Sequence, residues 1–209
     1  MRHIFESEHL LKRELVSILS SSKVTKEKSS DFDLLPALNA NKIEFRSAAV
    51  LIPIIFDNFG PAVVFTKRAK KLRDHPGQIS FPGGKVERGD FSESETVIRE
   101  CFEEICLKSV DINILGRLPS HETVTGYLIT PFVALIRNYE KLKPDLSEVE
   151  EIFKVPLEFL LNKQNMRVQN RKLNGNQISY YVIPYGPYYI WGATARIIKT
   201  FSDLIEKYE

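Results

Sequence analysis

Residues 83–107, GGKVERGDFSESETVIRECFEEICL, constrain the fold of this chain more than any other stretch. A glycine pair opens the segment and a helical periodicity follows it. At about 100° per residue, Val97, Ile98, Cys101, Phe102 and Ile105 fall within an arc of roughly 140°. On the same wheel Glu100, Glu103 and Glu104 fall within roughly 100° on the other side. A glycine turn followed by an amphipathic helix is the expectation. Three acids at i, i+3 and i+4 repel one another, at about 0.2–0.5 kcal/mol per pair in an isolated helix. A hard divalent cation turns that repulsion into coordination, because Mg²⁺ takes oxygen ligands and keeps waters for a phosphate-bearing substrate. A solvated acidic face is the ordinary alternative. The glycines and the basic segment upstream weigh against it.

The bulk numbers set the frame. A chain of 209 residues suits one generous domain, or one domain with terminal additions. With 43% hydrophobic residues it can bury a substantial core without staples. A formal net charge of +2 gives no whole-chain argument for nucleic acid, so electrostatic specialisation must be local. Cys101 and Cys106 sit in one predicted helix, which suggests neither a disulfide framework nor a zinc spacing and fits a reducing compartment. The N-terminal residues are too charged for a secretory signal, and the longest apolar run, 48–56, is interrupted by Pro53 and too short for a bilayer. A cytoplasmic protein with no membrane or nucleic-acid partner is expected.

Along the chain, residues 4–20 carry Ile4, Leu10, Leu11, Leu15, Ile18 and Leu19 at helical spacing, and the polar stretch from Ser20 to Asp33 reads as a linker. Residues 1–40 are therefore expected to be a helical appendage to a main domain over 41–209. Ala48–Phe56 reads as a buried strand, Asp57–Gly60 as a turn and Pro61–Thr66 as the returning strand. The basic loop Lys67, Arg68, Lys70, Lys71, Arg73 leads to Phe81-Pro82-Gly83-Gly84, and the acidic helix is predicted to start near Asp90 or Ser92. Val110–Leu118 and Pro131–Ile136 read as strands. The spacing predicts a second helix over Glu148–Leu161, broken at Pro156. Met166–Lys172 and Ile178–Ile183 flank the hairpin signal Asn174-Gly175-Asn176, and Ala193–Lys207 closes the chain as a helix. This order predicts an α/β domain with a mixed sheet between helices.

Gly84, Asp90, Arg99-Glu100 and Glu103-Glu104 together resemble the signature of the Nudix hydrolases: glycine, five residues, an acid, a spacer, arginine-glutamate, two residues, paired glutamates. Two positions depart from it. The acid is Asp90, with eight residues rather than seven between it and Arg99, and Cys106 stands where a glycine normally follows the glutamates. A cysteine forced to φ > 0 there is strained by about 1 kcal/mol or more; a locally different helix end avoids this. Upstream, Thr66, Arg68, Ala69, Arg73, Gly77 and the Phe-Pro-Gly-Gly run match the additional motif of the coenzyme A pyrophosphatase branch, with Val64-Phe65 in place of its two leucines. That branch commonly carries the aspartate and the longer spacer. The resemblance covers about residues 46–200.

The resemblance implies a Nudix-type α/β/α sandwich and a metal-dependent cleavage of the diphosphate of coenzyme A or an acyl-coenzyme A. It implies Mg²⁺ or Mn²⁺ on Glu100, Glu103 and Glu104, with the Gly84 carbonyl as a further ligand. Arg99 is expected to hold the carboxylates and to pair with Asp90; an ordinary i,i+4 pair with Glu103 is the alternative. The general base stays open between Glu103, Glu104 and a loop acid, with Glu122 and Glu148 as loop candidates. Arg68, Arg73, Gly77, Phe81 and Gly83 are the expected substrate-binding residues, Phe81 reading first as packing under the turn. The tyrosines Tyr180, Tyr181, Tyr188 and Tyr189 and Trp191 read as core or interface. The competing functions are hydrolysis of ADP-ribose, NADH or another nucleoside diphosphate derivative, and a non-catalytic nucleotide-binding domain. A homodimer is a family-level expectation.

Overall fold

The structure is a computed structural model, and it describes residues 5–20, 28–35, 43–173 and 176–208. In chain order the elements are α1 (Glu8–Leu19), β1 (Ser29–Ser30), β2 (Arg46–Asp57), β3 (Gly60–Arg68), β4 (Ile79–Ser80), β5 (Gly83–Lys85) and α2 (Glu93–Ile105). Then come β6 (Ile112–Arg117), β7 (His121–Glu122), β8 (Tyr127–Ile136), β9 (Val149–Pro156) and α3 (Leu157–Leu161). The chain ends with β10 (Arg167–Leu173), β11 (Asn176–Tyr185), β12 (Tyr188–Trp191) and α4 (Gly192–Tyr208).

The main sheet is mixed, running β1-β7-β8-β2-β3-β4, with β5 on β2, β6 on β8 and β9 on β3. The pairs β1/β7 and β2/β8 are parallel. Strands β10, β11 and β12 form a second, antiparallel sheet. Alternation along the central strands divides the core in two. Leu51, Ile55, Ala62, Val64 and Ala134 face one way and pack with Val97, Cys101 and Ile105 of α2. Ile52, Ile54, Val63, Phe65, Val133 and Leu135 face the other way and pack with α1, α3 and α4. Helices on both faces of a mixed sheet make the α/β/α sandwich that the sequence predicts.

Pro53 is tolerated inside β2 for a local reason. Leu51 donates its N–H to Pro82 O, so alternate residues on that edge point toward β5 and β3. Residue 53 falls in the gap between the β5 pairing at 48–50 and the β3 pairing at 54–57, where no ladder bond is lost.

The predicted helix over 148–161 is corrected. Residues 149–156 are strand β9, in register with β3 from Ala62↔Pro156 to Thr66↔Ile152. Only Leu157–Leu161 is helical, with Pro156 at its N-cap, where a proline costs no hydrogen bond. The hairpin turn at Asn174-Gly175 lies outside the described residues, and the strands flanking it pair as expected.

The N-terminal segment contributes to the main core. Leu11 and Leu15 of α1 are fully buried in the same cluster as the sheet, and a Cβ on Gly116 of β6 would come within 2.6 Å of the Leu19 side chain. Further on, Ser29 Oγ and Asp31 Oδ1 hold the buried His121 ring at 2.9 and 3.1 Å, one on each nitrogen. Removing a buried leucine costs about 2–5 kcal/mol where the cavity cannot collapse. Leu15→Ala is therefore expected to lower global stability by about that amount in a single denaturant transition. A separate early transition, with the main one unmoved, would show α1 unfolding as an independent unit.

Candidate active site

The glycine pair, read from the sequence as a turn, forms the start of strand β5 against β2, and the close approach there exists because glycine occupies both positions. Gly83 has φ 149°, and a Cβ there would lie 2.3 Å from Ala49 O. A Cβ on Gly84 would lie 2.3 Å from Glu100 Oε1, so the carboxylate of α2 packs directly on the turn's backbone. Ser92 caps α2, accepting from Glu95 N at 3.3 Å, and Glu95 accepts in return from Phe91 N at 3.0 Å.

The helix is rotated relative to the sequence expectation. Phe102, assigned to the buried arc, is 57% exposed, whereas Glu104, assigned to the polar arc, is 2% exposed. Glu104 sits beside Val97 and Cys101 on the wheel, and the packed face takes it in with them. Burial, followed by the charge of Glu100, pushes the Glu104 carboxyl up to about 8; Arg68 and the Gly83 N–H pull the other way. The Gly83 N–H reaches Glu104 Oε2 at a long 3.4 Å, and Arg68 approaches Oε1 at 3.9 Å. Burial also raises the Glu100 carboxyl, against the opposing pull of Arg99. The Glu148 carboxylate raises both.

Arg99 uses all five of its N–H donors. Nε and Nη2 clamp the two oxygens of Asp90 at 3.0 and 2.9 Å, Nη1 reaches Glu100 at 2.9 Å and Glu103 at 3.1 Å, and Nη2 also reaches Lys85 O at 3.2 Å. The Glu103 contact is the i,i+4 pair, but it is one of five. The guanidinium ties the loop acid, the helix and β5 into one body. Asp90 also accepts from Glu87 N and Thr96 Oγ1, and with Arg99 these hold it well below the usual carboxylate range.

Of the residues expected to act together, Glu100, Glu104, Gly83, Gly84, Arg68 and Arg99 converge. Glu103 adjoins them on the solvent side, half-exposed and sharing Arg99 Nη1 with Glu100. Among the described residues no three His, Cys, Asp or Glu side chains form a ready-made metal cage. Phe81 is buried and stacks on Phe65 with ring centres 5.0 Å apart, so its side chain is the floor of the turn and not a ligand contact. Arg73 is exposed on the loop after β3. Gly77 instead lines an open cleft of about 510 Å³, with Lys67, Gln78, Glu151, Tyr188 and Trp191. Tyr188, read as core or interface, is a wall of that cleft; it stacks on Phe153 at 3.6 Å and donates to Glu151 at 2.6 Å. The loop acids separate clearly: Glu122 pairs with Lys28 at 3.2 Å, while Glu148 abuts the end of β3, its carbonyl accepting from Ala69 N at 2.8 Å.

Cys106 takes φ 55° and ψ 26°, so the position does require a left-handed residue and the helix end is not reshaped around the cysteine. Its N–H bonds Phe102 O at 3.0 Å, and Leu107 N–H bonds Cys101 O at 3.1 Å.

A sandwich of this topology, with a glycine turn feeding a carboxylate-bearing helix, defines a Nudix-type domain. Comparison with known proteins agrees. The family model of the NUDIX domain matches residues 45–174. A Nudix hydrolase of Pectobacterium atrosepticum, named as the uncharacterized NudL, is 37% identical over 155 residues, covering 73% of this chain and 79% of that protein. NudL of Escherichia coli K12 is 34% identical over 174 residues, covering 83% and 90%. A solved MutT protein from Methanosarcina mazei Go1 has a TM-score of 0.47 and 19% identity, over 80% of this chain and 94% of that one. The chain belongs to the Nudix hydrolase family, whose members in general use divalent metal ions.

The buried Glu104 gives a pH test. Its folded value of about 8 stands above the ordinary 4.5, so the stability linked to its proton is complete below about 4.5 and is lost as pH rises through about 8. Without divalent metal, the melting temperature is expected to fall between about pH 6 and about pH 9, where ordinary carboxylates no longer titrate. Glu104→Gln should flatten that fall in the same calorimetric series, and an equally steep fall in the variant would remove Glu104 as its cause.

Proposed function

We propose that this Nudix hydrolase cleaves the diphosphate of coenzyme A or an acyl-coenzyme A, releasing 3′,5′-ADP and 4′-phosphopantetheine or its acyl form. The observation that carries the reading is the meeting of the two motifs: Arg68 of the upstream segment stands 3.9 Å from Glu104 of the acidic helix, at the Gly83-Gly84 turn. The same upstream residues match the coenzyme A pyrophosphatase motif, which supports this substrate over ADP-ribose or NADH.

The donor set fits a hard divalent cation. Burial and Glu148 oppose the ionisation of both Glu100 and Glu104, Glu103 adds to this at Glu100 and Glu100 adds to it at Glu104, so added positive charge relieves all of these. Glu100, Glu103, Glu104 and the Gly84 carbonyl are the residues proposed to hold Mg²⁺ or Mn²⁺, which when bound supplies charge neutralisation at the diphosphate oxygens. The chain's own groups do the rest. Arg99 acts as a positioning residue, fixing Glu100 and Glu103 against Asp90. Arg68 has a buried Nε with no partner and a guanidinium not saturated by Glu104, which leaves donors for a phosphate oxygen. Glu148, exposed beside the cluster, is the loop acid we propose as proton acceptor from water, because Glu122 is engaged with Lys28 instead.

Two experiments check this. With Mg²⁺ or Mn²⁺ and, separately, coenzyme A, ADP-ribose and NADH, chromatography should show 3′,5′-ADP from coenzyme A as the main product; turnover of ADP-ribose alone would sink the substrate assignment. Glu148→Gln should lower kcat about 100-fold, in the range for a lost general base, while Glu122→Gln should stay within about twofold. The reverse order would move the base to the Glu122 loop.

A further inference from the structure

Two cations stand beside the glycine turn without a carboxylate partner among the described residues. The Arg46 guanidinium carbon lies 4.5 Å from the centre of the Tyr127 ring, and Lys85 Nζ lies 5.7 Å from the same centre. Both side chains are exposed and the tyrosine is half-buried. By contrast Arg68, Arg99, Lys67 and Arg117 each face an acid. Strand register explains the meeting: Arg46 is the Cα partner of Tyr127, and Lys85 is the partner of Ala48, two residues along β2 on the same face. From their distances to one ring, the two charges are at most about 10 Å apart, and the ring face attracts both.

We propose that Arg46 and Lys85, held over Tyr127, form a subsite for a terminal phosphomonoester of the substrate, distinct from the place of its diphosphate. The inference rests on the reading above, that the substrate is a nucleotide with an internal diphosphate. Lys85 follows Gly84 directly, about 3.8 Å away along the backbone, so the subsite adjoins the cluster. Alternation along β5 sends the two positions to opposite faces: Gly84 meets Glu100, while Lys85 meets Tyr127. An anion held by Arg46 and Lys85 therefore has β5 between it and the carboxylates that would repel it. The pairing of a planar guanidinium fork with a point-charge ammonium suits a phosphate with two charges and three free oxygens. Each phosphate inside a diphosphate diester carries one charge and is a poorer match. The 3′-phosphate of coenzyme A belongs to the favoured class, and dephospho-coenzyme A lacks it.

The test compares wild type with Arg46→Gln and Lys85→Gln, which keep the apolar stems and whose folding is checked by thermal melts. By isothermal titration without divalent metal, wild type should bind coenzyme A about tenfold or more tighter than dephospho-coenzyme A, the worth of one charge-assisted hydrogen bond, and each variant should lose most of that difference. In turnover, the kcat/KM preference for coenzyme A over dephospho-coenzyme A should fall by a similar factor. The inference is overturned by an undiminished preference in both variants, or by a wild type that binds coenzyme A and dephospho-coenzyme A equally. A wild type that hydrolyses neither compound would defeat the functional reading alone, and the binding pair would still decide the subsite.

Discussion

The contact between Glu100 and the backbone of Gly84 is the constraint on which the site depends. No other residue at position 84 leaves room for the carboxylate, since any Cβ would sit 2.3 Å from its oxygen. That contact draws α2 against β5, and Arg99 locks it from outside by binding Lys85 O on the strand and Glu100 on the helix. With the helix drawn in, Glu104 has nowhere to go but the interface, between Val97, Cys101 and the Gly83 N–H. The cost of burying that carboxylate is expressed as its raised pKa. The glycine pair, the buried acid and the five-donor arginine are one device.

Much of this was legible in the chain. The glycine pair, a helix start near Asp90 or Ser92, the pairing of Arg99 with Asp90 and a sheet between helices all follow from periodicity, capping chemistry and the motif pattern. The rotation of α2 was not. On a helical wheel Glu104 and Val97 are neighbours, and hydrophobicity alone draws the boundary between them; the turn's need for Glu100 moves that boundary. Phe102 is left in solvent as a result. Strand β9 was hidden for a different reason. Val149, Ile152 and Phe153 fall at helical spacing, and only the pairing with β3 imposes the two-residue period. Tertiary pairing overrides local pattern most easily in short segments rich in both apolar and charged residues.

The clip around His121 was also invisible, because His121 lies about ninety residues from Ser29 and Asp31 in sequence and none carries a motif. A polar stretch that reads as a linker contains the two side chains that fill both ring nitrogens. Burying an imidazole is costly unless its nitrogens are paired, so the clip fixes where β1 lies on β7. Arg46, Lys85 and Tyr127 were missed on the same grounds: their relation exists only once β2 stands between β5 and β8.

Cys106, an oddity in the sequence, has a structural consequence. An α-helix leaves its last carbonyls unpaired, and continuing α2 by one turn would consume them internally. The left-handed residue stops the helix at Ile105, and the strain of a side chain at φ 55° is the cost of stopping there. The freed carbonyls of Glu104 and Ile105 accept from Asp145 N at 2.9 Å and Lys143 N at 3.1 Å. Those two bonds moor the loop 143–148 to the end of the acidic helix, and Asp145 O in turn accepts from Glu148 N at 2.9 Å. The charge of Glu148 is felt at Glu100 and Glu104 because the helix ends where it does. The cysteine thus joins the site through the backbone it terminates: a glycine there would serve the same turn with less strain, and a residue that let the helix run on would leave the loop carboxylate without its mooring.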